Sequence, residues 1–373
     1  MYRTADAHRR ELTVRVLHVI GPLTVGGAQT QLLGLVRAAN GSFWDATVCS
    51  TSPGPMVDDF RALGVDLIEL DRDRSFPGRV RQTRAIVGAG GYDVVHSNLW
   101  APNAYARLAV AGRSERPAVV ISERNVERDR SLRMRALDRL LARWTDAWVG
   151  NSEAVCEFIR RVHPAPPDAV VHIANAVDKA VFWPRRWVRD APPFRIGSVG
   201  RLFAEKGFDV LIDAVRDLQQ RLDPPPITAE IAGVGPLLDD LEARAAGLPV
   251  RFIGALGRGA PVAEFLRSLD VFVLPSTHRE GRANVLLEAL SCGVPTVATD
   301  IPGTTEAVGE GARLVPPNDA AALATAIRSV VGSQDACERA LAHAAAIADF
   351  DSLAAAYLRV FEDVIRRRNL AVA

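Results

Sequence analysis

The chain has 373 residues, 48% of them apolar and 24% charged, with a formal net charge of +1. That length exceeds one typical domain and suits two, each able to bury a core. The composition is that of an ordinary folded protein, which excludes disorder or low complexity outside the polar start 1–11 and the last few residues.

Four cysteines, Cys49, Cys156, Cys292 and Cys337, lie far apart without a C-x-x-C pair. They read as reduced, mostly buried thiols of a cytosolic protein and not as a disulfide or zinc framework. Charge is unevenly spread. Residues 1–186 carry 26 Lys and Arg against 20 Asp and Glu, a net of +6, and residues 187–373 carry 19 against 24, a net of −5. A basic first half suits an anionic partner, either phosphate or a membrane surface. Only Lys179 and Lys206 are lysines, the other basic side chains being arginine. A chain that avoids lysine has a use for it where it appears.

The apolar run 16–23 follows Arg3, Arg9 and Arg10. It is short, contains His18 and a Gly-Pro, and lacks a small-residue cleavage site, so it reads as a buried first strand and not a signal peptide. No stretch approaches the roughly 18 apolar residues needed to span a bilayer. The expected location is the cytoplasm, with peripheral contact to the cytoplasmic membrane face.

Strand 16–20 leads into a helix at 27–39 with Leu32, Leu33, Leu35 and Val36 on its apolar face. Further strands are predicted at 46–49, 66–70, 93–96, 118–122 and 147–150, each followed by a helix or loop. This alternation predicts a parallel sheet covered by helices on both faces. It breaks at 182–193, FWPRRWVRDAPP, which reads as an interdomain linker. The pattern restarts with strand 194–199 and helix 207–220, then strands at 229–232, 250–253, 271–274 and 296–298. A last amphipathic helix, 351–367, carries Leu353, Tyr357, Val360, Phe361 and Val364 on one side.

Ligands in open α/β sheets bind beyond the carboxyl ends of the strands, so the loops after each strand hold the candidates. The first, GPLTVGG at 21–27, has paired glycines at a helix start, where a ligand can approach backbone amides and the positive dipole end. A tight strand-to-helix turn accounts for it equally well. It is not G-x-G-x-x-G, which disfavours a dinucleotide cofactor. The first strand of the second half ends SVGRLFAEKG, with Arg201 and Lys206 five apart. An arginine fork and a lysine point charge suit a diphosphate whose charge grows as it leaves. A solvated loop is the competing reading, and the rarity of lysine favours function.

The strongest constellation is 274–295, LPSTHREGRANVLLEALSCGVP. A strand runs into a glycine-containing turn that holds Glu280, and a helix starts at Ala283 or Asn284 with Glu288 a little over one turn inside. The helix start can accept phosphate, and the carboxylates can accept hydrogen bonds from sugar or ribose hydroxyls. Both glutamates also simply favour a helix N-terminal region. As a glycosidase pair they fit poorly, since eight helical residues span about 12 Å against the roughly 5–5.5 Å that retaining glycosidases need.

The spacing Glu280…Glu288-Ala289…Gly293-Val294-Pro295 resembles glycosyltransferase family four. So do Gly200-Arg201…Lys206-Gly207, Gly233-Val234-Gly235-Pro236, Asn151-Ser152 and the Gly26-Gly27 loop, in order along nearly the whole chain. The resemblance implies two Rossmann-like βαβ domains facing each other across a cleft, the B-type glycosyltransferase fold. Residues 1–186 would bind the acceptor and 187–350 the nucleotide-sugar donor, with the helix at about 351–373 packing back on the first domain. By carry-over, Arg201 and Lys206 bind the donor diphosphate, aided by Gly281, Arg282, Ala283 and Asn284 at the helix start. Glu288 takes the ribose, Glu280 faces the transferred sugar, Gly27 approaches the phosphate, and Ile253 and Gly254 lie along the base. His96 and Asn98 fall on the acceptor side, Asn98 standing where the family often has a second histidine. Arg282 and Ala283 replace a more usual apolar-Pro pair, which bears on the identity of the sugar. Asn175-Ala176-Val177-Asp178 is a variant of the family's Asn-Gly-Val-Asp.

The implied reaction is retaining transfer from a UDP- or GDP-sugar to a glycan or lipid-linked acceptor in cell-surface polysaccharide or glycoconjugate synthesis. It needs no metal or cofactor and involves no nucleic acid. A sugar-nucleotide epimerase or hydrolase on a related scaffold, or a non-catalytic sugar-binding subunit, are the alternatives. Asp71-Arg72-Asp73 is formally a D-x-D but sits among compensating arginines and is not read as a metal site. The segment 124–144 sets Met134, Leu137, Leu141 and Trp144 on one helical face amid Arg128, Arg135, Arg139 and Arg143. It is either a surface helix packed on its own domain or a basic face for anionic lipid headgroups or a lipid-diphosphate acceptor.

Overall fold

The computed structural model describes residues 14–70, 75–126, 130–185, 192–220, 226–278 and 280–372. Asp71-Arg72-Asp73, Arg128, the start of the chain and residues 186–191 of the expected linker lie outside the described residues.

The chain divides into two compact units, 1–175 with 350–373, and 176–349. The first is built on seven parallel strands: β1 (Arg15–Ile20), β2 (Asp45–Ser50), β3 (Asp66–Glu69), β4 (Val94–Asn98), β5 (Ala118–Glu123), β6 (Ala147–Gly150) and β7 (Val170–His172). Their order is β3-β2-β1-β4-β5-β6-β7. The second holds β8 (Phe194–Val199), β9 (Ile227–Ala232), β10 (Val250–Phe252), β11 (Val271–Leu274), β12 (Thr296–Thr299) and β13 (Arg313–Val315), ordered β10-β9-β8-β11-β12-β13 and again parallel. Helices connect successive strands, so the central strands are buried on both faces and read as continuous apolar runs. β1 and β4 illustrate this, with no exposed residue after Arg15.

In each sheet the order reverses once, between β1 and β4 and between β8 and β11. Such switch points open a crevice at the carboxyl ends of the strands. The loops at 21–26, 200–207 and 275–283 all leave strands that flank one of them.

The passage between units falls at Asn175/Ala176, earlier than the 186/187 break expected from the proline-rich stretch. The reason is local packing. Val177 and Phe182 lie in the apolar core of the second unit, and the Val177 N–H donates to the Ala348 carbonyl at 3.0 Å. The final helix, Phe350–Val372, belongs to the first unit. Leu353, Ala354, Tyr357, Val360, Phe361 and Val364 are its buried side chains, and each large one adds about 1.5–3 kcal/mol through apolar burial. Gly34, on the helix Gly27–Ala39, leaves room for Phe350: a Cβ there would lie 2.2 Å from that ring. No helix among the described residues is long and apolar enough to cross a membrane.

Candidate active site

In the second unit, glycines lace the loops after β8, β9 and β10 together. The Gly200 N–H donates to the Ala232 carbonyl (3.0 Å) and Leu202 N–H to Val234 (2.9 Å). A Cβ on Gly233 would lie 1.8 Å from the Gly200 oxygen, and one on Gly235 2.4 Å from the Leu202 oxygen. Only glycine permits that approach. The Gly233 N–H in turn donates to the Gly254 carbonyl at 2.8 Å, which puts Ile253, 36% exposed, and Gly254 beside the same loops.

Gly207 then turns the post-β8 loop onto the post-β11 loop. It is left-handed (φ +65°), and a Cβ on it would meet the Pro275 oxygen at 2.1 Å. The Thr277 N–H donates to the Glu205 carbonyl at 2.9 Å. The consequence is an ion pair between the Lys206 ammonium and Glu280 Oε1. The Ser276 hydroxyl donates to that same oxygen at 2.7 Å, and Thr299 fixes the Ser276 carbonyl through its own hydroxyl. Oε2 of Glu280 has no partner among the described residues. Arg201 is on the same loop but not in this cluster: it is exposed, and its guanidinium lies 4.9 Å from the Phe203 ring centroid.

Glu280 and buried Gly281 are braced from behind by the helix Pro302–Val308, where a Cβ on Gly303 would lie 2.1 Å from the Gly281 oxygen. Arg282 points inward, its side chain 10% exposed and its Nη1 3.9 Å from Glu306 Oε1. Desolvation lowers its pKa, partly offset by Glu306. Ala283 is the extended cap of the helix Asn284–Ser291. Glu288 lies one turn inside, where burial raises its carboxyl to about 7, and it has no ion pair among the described residues.

In the first unit Gly27 opens the helix Gly27–Ala39 after the β1 loop and is exposed. His96 and Asn98, expected on the acceptor side, are both fully buried. The structure places His96 in an interior polar chain. Trp44 Nε1 donates to His18 Nε2 (3.1 Å), the two histidine Nδ1 atoms lie 2.9 Å apart, and His96 Nε2 lies 2.9 Å from Ser122 Oγ. Ser122 Oγ is 3.2 Å from the Tyr357 hydroxyl. An indole can only donate, so each neutral imidazole accepts on one nitrogen and donates from the other down to Tyr357. Burial holds both histidines neutral, His18 pushed down to about 3, and His96 well below its usual value with His18 and Arg124 adding to the effect.

Sequence reasoning missed Arg124, on which three asparagines converge. Asn98 and Asn175 accept from its guanidinium, and Asn151 holds its backbone carbonyl (3.2 Å), while Ser152 caps the helix Glu153–Val162. The signal available was an arginine directly after a strand, at a strand end where ligands bind. It also missed a buried ionic cluster: Asp138 pairs with Arg107 (2.8 Å) and Arg130 (2.9 Å), and Arg130 with Glu123 (2.7 Å). This cluster anchors the helix Leu132–Leu141 to its own unit while Leu132 (82%) and Leu140 (48%) stay exposed.

Both units match glycosyltransferase families: residues 25–181 match "Glycosyltransferase Family 4" and 193–333 match "Glycosyl transferases group 1". The phosphatidyl-myo-inositol mannosyltransferase of Mycobacterium leprae is 30% identical over 290 residues, 74% of each chain. A GDP-mannose-dependent alpha-(1-6)-phosphatidylinositol dimannoside mannosyltransferase of Mycobacterium tuberculosis is 37% identical over 169 residues, and the match spans only 43% of its length. Among solved structures, Anabaena HepE in complex with UDP superposes with a TM-score of 0.79 at 19% identity, over 94% of this chain and 100% of that one. The fold is thus the two-domain, Rossmann-like B type of glycosyltransferases. The chain belongs to glycosyltransferase family four.

Proposed function

We propose that the chain transfers a sugar, with retention at the anomeric carbon and without a metal, from a nucleotide-sugar donor to a lipid-linked or glycan acceptor of cell-surface glycoconjugate synthesis. The observation that carries this reading is the Lys206–Glu280 pair at the β8/β11 switch point, with Arg201 on the same loop. A like-folded neighbour is solved with UDP, and a relative is named for GDP-mannose and a phosphatidylinositol acceptor, which supports a UDP- or GDP-sugar and an acceptor of that kind.

In the donor complex the C1–oxygen bond breaks with its electron pair passing to the departing diphosphate. Lys206 and Arg201 meet that growing charge, the role a divalent cation plays elsewhere. The acceptor oxygen bonds C1 on the same face and its proton passes to the leaving diphosphate. Glu280, anchored through Oε1, turns Oε2 toward the sugar hydroxyls and orients the ring. The exposed leucines of the helix Leu132–Leu141 and its arginines suit contact with an anionic cytoplasmic membrane face.

The test is a panel of UDP- and GDP-sugars screened for thermal stabilisation, followed by transfer assays from the best donor with EDTA present. We expect transfer to survive EDTA and the product to keep the donor's anomeric configuration by NMR. An inverted product sinks the mechanism, and loss of transfer on chelation sinks the metal-free reading.

A further inference from the structure

Arg124 follows β5 in the first unit. Its Nε, Nη1 and Nη2 donate to Asn98 Oδ1 (3.1 Å), Asn175 Oδ1 (3.1 Å) and the Tyr357 hydroxyl (3.3 Å). All three acceptors are neutral. A guanidinium has five N–H donors, so two remain, one on each terminal nitrogen. No carboxylate among the described residues pairs with it. Other covered arginines of this unit are treated differently: Arg107 and Arg130 share Asp138, and Arg116 is held by Asp146.

Beside it lies a second unmet donor. Asn98 is fully buried, and its Nδ2 has no hydrogen-bond partner. Turning the amide over would set Nδ2 against the Arg124 Nε–H, so the arginine itself fixes which amide atom stays unmet. A buried donor without an acceptor costs free energy that a bound acceptor restores. Asn98 ends β4 and Arg124 directly follows β5, so both stand at the carboxyl ends of neighbouring strands, next to the β1/β4 switch point.

We propose that Arg124 and the Asn98 amide form an oxyanion subsite that takes a phosphoryl or carboxylate group of the acceptor. The charge-assisted, multi-donor geometry is the one that such anions select. This rests on the reading of the chain as a transferase whose acceptor binds the first unit. Tyr357 and Asn175 are positioning residues that aim the guanidinium.

Asn98→Asp separates the subsite from a purely structural arginine. It is nearly isosteric, keeps the oxygen that Arg124 holds, and supplies a counter-charge in place. A structural Arg124 tolerates it with anion binding unchanged, whereas a subsite is filled by its own carboxylate. The full chain is titrated with inorganic phosphate, and in a second arm with glucuronate, by thermal shift at constant ionic strength. Nucleoside diphosphate is kept saturating to occupy the donor phosphate site. We expect one anion to stabilise the wild type, with binding at least about tenfold weaker in Asn98→Asp and in Arg124→Gln. The responding arm names the anion. A wild type indifferent to both anions, or an Asn98→Asp protein that binds them equally well, overturns the proposal. Stabilisation by the nucleoside diphosphate is read in the same series. Its absence counts against the donor reading and leaves the comparison of anion binding between the variants intact.

Discussion

Lys206 and Glu280 neutralise each other at the centre of the candidate donor site, so changing either one leaves the other unmatched. Lys206→Ala, Arg201→Ala and Glu280→Ala are each expected to lower transfer about 10²–10³-fold with a melting temperature near the wild type's. Near-normal rates in all three remove the mechanism. Glu288 gives a pH signature. Burial raises its folded-state pKa from 4.5 to about 7, so the folded protein holds a proton there that the unfolded chain has lost. Stability from this residue therefore falls as pH rises from about 4.5 to about 7 and stays low above that. Glu288→Gln is expected to raise the melting temperature at pH 8 and leave it little changed at pH 4.5. A variant equally stabilised at both values rules out the buried-carboxyl account. If ribose hydroxyls donate to this carboxylate, donor affinity should also weaken as pH falls below about 7, and the glutamine variant should flatten that profile.

Elements position these groups more than side-chain contacts do. The helix Pro302–Val308 supports the Glu280–Gly281 turn through the missing Cβ of Gly303. Gly303→Ala should reduce transfer at least about tenfold by displacing that turn; unchanged kinetics would show that the loop rests on something else. Strands with long apolar runs were legible in the sequence, as were the loops that carry Arg201, Lys206 and Glu280 and the helix that carries Glu288. β7 and β13 were not. Three residues each are too few to show a period, and their pairing partners are set by tertiary order. His96 illustrates the other kind of failure. Its position after a hydrophobic run is readable, but that His18 is its register partner on β1, with Trp44 and Tyr357 completing the chain, exists only once the strands align. Tyr357→Phe removes the terminal hydroxyl of that chain and one acceptor of Arg124. It should cost the first unit about 1–3 kcal/mol by urea denaturation; a neutral substitution means the hydroxyl is not needed there.

The two units should answer pH in opposite senses. His18 and His96 are buried neutral, so the unfolded first unit takes up protons below about pH 6.5 that the folded one refuses, and its stability drops as pH falls. Glu288 makes the second unit gain stability over nearly the same descent, until about pH 4.5. Calorimetry at pH 5.5 and pH 8 should resolve two transitions whose separation changes between them. A single transition with the same midpoint at both values contradicts this assignment.

The main-chain bond from Val177 to Ala348 joins residues one in from each end of the second unit. That unit is thus an insertion whose ends meet, and only two neighbouring crossings connect it to the host. A block of gene encoding 176–349 could be exchanged between relatives without opening either core. On the proposed assignment of the donor to the second unit and the acceptor to the first, recombination at that pair of junctions would exchange one specificity and keep the other, a route to diversity that requires no gradual remodelling of the site.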